Sequence, residues 1–197
     1  NNIREEFENL EEQSLGRGEE MAILFELLLR LRQTTIHPQL VIDGYKRKSK
    51  KRNIGFRLTD WDSNIPTSKH DKLFSLIKQH PDDSTIIFCQ FTKEIDILGK
   101  LAKSNGLITR RFDGSMNIHQ RNKVLLECKD TNTCPQLLNK ILPDSIITHI
   151  TSFIKIDILF IQIQAGGVGL NLQNFNRIYF TSPDWNPSNE IQAIARS

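Results

Sequence analysis

The sequence is poor in several features, and each shortage removes a class of protein. Cysteine occurs three times, at Cys89, Cys128 and Cys134, with the closest two six positions apart. That spacing offers neither a C-x-x-C metal pair nor an even disulfide set, so no metal ligands are expected and a reducing compartment is the natural inference. No run of about 18 apolar residues occurs and the first residues are charged, which leaves neither a helical membrane span nor a signal peptide. Charge of one sign is missing too: 26 Lys and Arg face 23 Asp and Glu, a net +3. Global basicity therefore does not announce nucleic acid, and any such footprint must be local. A GxxxxGK[ST] phosphate loop and a D-E-x-H acid motif are both absent. The abrupt start, and an end inside a helical pattern, lead us to expect an excised part of something larger.

What is present is organised around residues 156–186. Seven residues rich in β-branched and aromatic side chains, Ile156 to Gln162, run into the turn Ala165-Gly166-Gly167-Val168-Gly169, and a second apolar run follows from Ile178 to Thr181. A strand apolar on both faces fits a parallel sheet covered on both sides. Three glycines in four positions either make a tight turn at a sheet edge or let backbone approach a ligand. Upstream, helical stripes alternate with short apolar runs. Ser68 is a candidate cap for a helix with Leu73, Phe74, Leu76 and Ile77 inward, ending near His80-Pro81. Thr85 to Cys89 is a strand, Thr92 caps a helix burying Ile95, Leu98 and Leu101, and Asn105-Gly106 ends it. Leu107 to Phe112 is a strand, Asp113-Gly114-Ser115 a turn, and a helix runs from Ile118 to Cys128. Strands alternating with helices imply βαβ units and a three-layer α/β lobe with a parallel sheet.

The first 60 residues read as a helical appendage. Ile3, Phe7 and Leu10 mark one amphipathic helix, and residues 19–33 a second whose apolar residues cover more than one face, as in an enclosed helix. His37, before Pro38, has no ligand partner at metal spacing and reads as structural. Lys46 to Arg52 holds six positive charges in seven residues. Three readings stay open for it: a solvated loop, a nuclear localisation signal, or a phosphate-contacting arm. Residues 61–197 form the lobe, interrupted at about 129–155 by an insert with two helical stripes. An apolar face left exposed there marks a protein contact.

The string AGGVGLNLQNFNRIYFTSPDWNPSNEIQAIARS resembles motifs V, Va and the beginning of motif VI in the second RecA-like lobe of the SNF2 family of DNA-dependent ATPases, in helicase superfamily 2. IIFCQFTKEIDIL resembles motif IV, with Cys89 replacing the usual serine, and RRFDGSMNIHQRNKVLLE resembles motif IVa. LLLRLRQTTIHPQLV is similar to the helix leading into that lobe, and LPDSIITHITSFI, thirteen residues long, faintly resembles the opening of an F-box.

The resemblance implies a division of labour. ATP lies between two lobes; the first, absent from this chain, brings the phosphate cradle and the acid for Mg²⁺, and the second brings arginine to the γ-phosphate. Arg196 takes the finger role, while Gly167, Gly169, Asn171 and Gln192 approach nucleotide. Gln90, Ser115, Arg121, Trp185 and Asn186 are the residues implied for the backbone of duplex DNA, bound without reading bases. Trp185 is read equally well as a loop aromatic buried beneath a helix that Asn186 caps and Pro187 begins. The implied protein is a nuclear, or viral or other intracellular, DNA translocase that remodels protein-DNA complexes, inactive as this segment alone. Two alternatives remain: a RecA-like partner-binding module without an ATPase role, and a strand-separating helicase.

Overall fold

The computed structural model describes residues 17–52, 60–62, 65–138, 155–165, 172 and 174–195. Contacts divide the chain into two compact units, Asn1–Asp62 and Ser63–Ser197.

In the first unit, α1 (Arg17–Ile36) and α2 (Pro38–Arg52) are separated by His37 alone. Proline cannot donate a backbone hydrogen bond, which costs nothing at the first position of a helix, so Pro38 starts α2 as it stops α1. His37 is fully buried and its Nδ1 accepts the Gln39 N–H at 3.1 Å, capping α2 as a structural histidine does. Arg30 binds the helices together. It is buried, donates to Gln33 Oε1 at 2.9 Å, and lies 5.1 Å from the centre of the Tyr45 ring. A Cβ on Gly44 would stand 1.8 Å from Arg30 Nη1, so the missing side chain is what lets the guanidinium cross α2.

Two expectations for this unit need correction. The basic run is not a loop: Lys46 to Arg52 is the last part of α2. Lys and Arg are good helix formers, and positive charge suits a helix C-terminus. Nor is α1 enclosed all round, for Leu27 is 2% exposed while Phe25 is 64% exposed and Met21 52%. Among the described residues of this unit, α2 is the helix that packs on it. The candidate helix at Ile3, Phe7 and Leu10 lies outside the described residues.

In the second unit, α3 (Ser68–Lys78) buries Leu73, Phe74 and Ile77 and is capped by Thr67, whose Oγ1 accepts the His70 N–H. Ser68 is thus the first helical residue rather than the cap. β1 (Thr85–Cys89) is buried at every position. At α4 (Thr92–Ser104), Phe91 occupies the cap position, and the carboxylate of Glu94 accepts the N–H groups of Gln90 and Phe91 at 3.1 and 3.3 Å. The acid therefore does the work expected of Thr92. Gly106, at φ 75°, ends α4 in the left-handed conformation that glycine adopts without strain.

β2 (Thr109–Phe112), α5 (Ile118–Leu138), β3 (Ile158–Gln162), β4 (Arg177–Phe180) and α6 (Pro187–Ile194) follow. α5 runs ten residues past Cys128, so the first part of the segment assigned to an insert continues this helix. The second stripe of that segment, residues 146–153, lies outside the described residues.

All pairings are parallel, in the order β2-β3-β1-β4. Leu159 stands beside Ile86 and Arg110, and Ile161 beside Phe88 and Phe112, so alternate residues load alternate faces. One face joins Ile86, Phe88, Phe112, Leu159 and Ile161 to Val124 and Cys128 of α5 and Ala193 of α6. The opposite face carries Ile87, Ile158 and Phe160, all buried, and α4 contributes buried Ile95, Leu98 and Leu101. Phe88 stacks on Phe180 with ring centres 5.0 Å apart. The central pair β1 and β3 is buried from both sides, and the chemistry sits at its ends.

Candidate functional site at the carboxyl ends of the strands

Register places Cys89, Asp113, Gln162 and Thr181 at one end of the sheet, each at or just past the last paired residue of its strand. In open parallel α/β sheets this end is where ligands bind, because the loops leaving it are free of the hydrophobic layers. Side chains link these four strand ends in two pairs.

Asp184 is the hub of the first cross-link. It accepts the Gln90 Nε2 amide at 2.7 Å, the Asn186 N–H at 2.9 Å and the Asn189 amide at 2.9 Å. Its own N–H donates to Glu190 Oε1 at 2.7 Å. The end of β1 is thereby tied to the loop after β4 and to the first turn of α6. Asn186 caps that helix through Oδ1, which accepts the Ser188 N–H at 3.1 Å, and Pro187 begins it. Acidic Glu190 in the first turn suits the positive end of the helix.

Asp113 holds the second loop. Its carboxylate is fully buried and accepts the Ser115 N–H at 2.8 Å, the Ser115 hydroxyl, and the Arg111 guanidinium at 2.6 Å. Burial alone would lift this carboxyl, but the Ser115 hydrogen bonds and the Arg111 charge outweigh it and hold it below the usual range. Gln162, at the end of β3, accepts the Gly114 N–H at 3.1 Å and fixes the turn from below.

Glu94 behaves in the opposite way. It is fully buried among the strand ends, and desolvation raises its carboxyl despite the hydrogen bonds from Thr181, Phe91 and Gln90. Cys89 is fully buried beside it, and its thiol is pushed well up by burial and by the Glu94 charge. A buried, protonated thiol contacts no phosphate.

The implied site residues fall into three groups. Ser115, Trp185, Asn186 and Gln192 are exposed, Trp185 at 68%, which decides its alternative: it is not buried beneath α6. Gln90 and Arg121 are engaged within the fold. Gln90 is 9% exposed and committed to Asp184, while Arg121 donates Nη2 to the Asp113 carbonyl at 3.1 Å and stacks 5.4 Å from the Phe112 ring centre. Gly167, Gly169, Asn171 and Arg196 lie outside the described residues. Among the described residues no group of three His, Cys, Asp or Glu is placed to hold a metal ion, and no helix is long and apolar enough to cross a membrane.

Asp184, Gln162 and Glu94 were not singled out from the sequence. A signal existed for the first: Pro-Asp two residues before a capping Asn is turn chemistry in which Asp binds nearby N–H groups. Gln162 and Glu94 left none, because their partners are 48 positions away in one case and set by helix entry in the other.

Comparison with known proteins follows the same geometry. The model of the helicase conserved C-terminal domain matches residues 68–141 and 143–197. DNA repair protein RAD5 of Debaryomyces hansenii is 29% identical over 175 residues, which is 85% of this chain and 13% of that protein. RAD5 of Candida albicans is 35% identical over 150 residues, 73% of this chain and 12% of that protein. The chain thus spans a small share of the curated relatives it matches. Among solved structures, the Sulfolobus solfataricus SWI2/SNF2 ATPase C-terminal domain, 20% identical, aligns over 94% of this chain and 67% of its own length with a TM-score of 0.62. The C-terminal part of the Fun30 ATPase domain, 21% identical, aligns over 79% of this chain and 44% of its own with a TM-score of 0.54. The chain belongs to the helicase conserved C-terminal domain family, with the RecA-like fold of an SNF2-type C-terminal lobe.

Proposed function

We infer that this lobe serves as the second half of an ATP-dependent translocase that tracks along duplex DNA in the nucleus and remodels protein-DNA complexes during repair, transcription or chromatin reorganisation. The observation that carries the reading is the Gln90–Asp184 bond, which ties the motif IV strand end to the loop and helix of motif VI. A displacement of either is thereby communicated to the other. Ser115, Trp185 and Asn186, exposed on the rim, meet the sugar-phosphate backbone, and Gln90 and Arg121 hold their loops in place from behind. Contacts of this kind carry no base information, so binding is sequence-independent and weakens as salt rises.

Nucleotide with Mg²⁺ is held mainly by the first lobe, which brings the phosphate loop and acid motif that this chain lacks. From this side Gln192, exposed on α6 with an amide able to donate and accept, fits a nucleotide arriving from outside the lobe. Gly167, Gly169 and Asn171 complete that side, and Arg196 brings a planar, permanently charged fork to the γ-phosphate. The segment alone is inactive. Residues 129–155 are the proposed contact for a protein partner.

The test is ATP turnover by the full-length protein with and without duplex DNA. DNA should stimulate turnover, and Arg196→Ala should lower it by orders of magnitude. Turnover that ignores DNA overturns the translocase reading, and unchanged turnover in the variant removes Arg196 from the site.

A further inference from the structure

A groove of about 530 Å³ opens along β2, between α4 and α5, and reaches the strand-end loop at Met116. It falls within the roughly 300–1,000 Å³ range of ligand sites. β2 is an edge of the four-stranded sheet, pairing with β3 among the described residues. Two features of the groove, a glycine and a pair of lysines, have no packing or ion-pair role among the described residues.

The first is Gly99. It occupies the middle of α4, where glycine is less favourable than alanine, yet apart from its chain neighbours and its own helix backbone no atom among the described residues lies within 4 Å of the place its Cβ would take. Packing within the lobe does not require a glycine here. An empty position above a helix backbone, lining a groove, leaves space for something outside the lobe.

The second is charge. The rim of the groove bears Lys93, Lys100, Lys103, Arg110 and Arg111 against one acid, Asp96. Arg111 pairs with Asp96 and Asp113, Lys93 with Asp96, and Arg110 with Glu127. Lys100 and Lys103, one turn apart and both exposed, make no ion pair among the described residues. The apolar part of the lining is Ile95, Met116, Val124 and Phe160, with Met116 partly buried against the core cluster that includes Val124.

We propose that this groove docks an acidic peptide segment of a partner protein, its carboxylates on Lys100 and Lys103 and an apolar side chain seated over Gly99 against Met116. The apolar lining favours a peptide over a nucleic acid backbone, which would present phosphate and sugar to it. The peptide does not add a strand to the sheet, because the Arg110 guanidinium bonds the Thr109 carbonyl at 3.0 Å and blunts that edge. Carboxylate groups on the rim steer the approach, and the filled space above Gly99 gives register.

The experiment measures anisotropy of a fluorescein-labelled peptide of Asp and Glu interspersed with Leu, titrated with the full-length protein. Lys100→Glu combined with Lys103→Glu should weaken binding by about tenfold or more, since charge reversal replaces attraction with repulsion. Gly99→Leu should do the same by filling the space. Gly99→Ala should raise the melting temperature, as a helix gains from alanine where nothing is crowded. DNA-stimulated ATP turnover should be unchanged in the lysine variant, so loss of turnover in the unaltered protein would count against the translocase reading and not against this one. Peptide affinity that survives either the lysine or the Gly99→Leu variant overturns the proposal. So does a fall in melting temperature for Gly99→Ala, and so does an equal loss of affinity for random-sequence duplex DNA in the lysine variant, which would make the groove a nucleic acid site.

Discussion

The two units of this chain solve the burial problem unequally. In the sheet unit, β1 and β3 lie between helices on both faces, and Phe160, Ile158 and Leu159 are sealed from water. In the helix pair, α1 covers α2 along one line and leaves Phe25, Met21 and Leu31 more than 40% exposed. The sheet can be covered twice because it is flat and wide, whereas a helix with one neighbour buries one stripe. The sheet unit should therefore depend on its apolar side chains and the helix pair on a few specific contacts.

The sharpest way to break that comparison is truncation. Phe160→Ala should cost about 3–5 kcal/mol in urea unfolding, from lost transfer energy and a cavity. Phe25→Ala should stay within about 0.5 kcal/mol. Equal costs would mean that the contrast between the units is false. Next comes Gly44→Leu in the helix pair, expected to cost about 1–3 kcal/mol because the new side chain occupies the path of Arg30. Hydrogen exchange should show faster opening of α1 and α2 and no change in β1. Asp184→Ala is its counterpart in the sheet unit: it strands Gln90 and Asn189 without their acceptor, at about 1–3 kcal/mol.

Smaller effects come from two carboxyls at neighbouring strand ends that are shifted in opposite senses. Glu94 is raised above its ordinary 4.5, so the folded chain holds that proton more tightly than the unfolded chain. Its contribution to stability is present below pH 4.5 and is lost as pH rises through the raised value. Asp113 is lowered below 3.8, so its contribution is present above that pH and lost as pH falls through the lowered value. Glu94→Gln should flatten the decline in stability above pH 4.5 in melting curves, leaving the acid limb due to Asp113 in place. An undiminished decline would remove Glu94 as its source. At the bottom of the scale, Asp60→Asn breaks the exposed pair with Lys46 and should leave the melting temperature unmoved.

Much of the fold was legible because parallel sheets write themselves plainly. Thr85 to Cys89 and the run from Ile156 are largely apolar without alternation, and both hold central, mostly buried strands, the second beginning two residues later than expected, at Ile158. Gly106 was legible as a helix stop for a local reason, its positive φ. Element ends were less so: Thr67 rather than Ser68 caps α3, and Glu94 does what Thr92 was expected to do. Neighbouring hydroxyl residues are equal candidates until the chain direction entering the helix is known.

Amino-acid order by itself determined the alternation of strands and helices, the family resemblance, and the residue types at the strand ends, since all of these rest on local spacing. Tertiary structure alone decided which of those residues face outward. Gln90 and Arg121 are drawn inward because Asp184 and the Asp113 carbonyl, 94 and 8 positions away, are brought to meet them. Trp185, just before the Asn186 cap of α6, is left 68% exposed. A polar side chain reads the same in sequence whether it binds a partner or its own fold, and only the closing of the chain upon itself chooses between them.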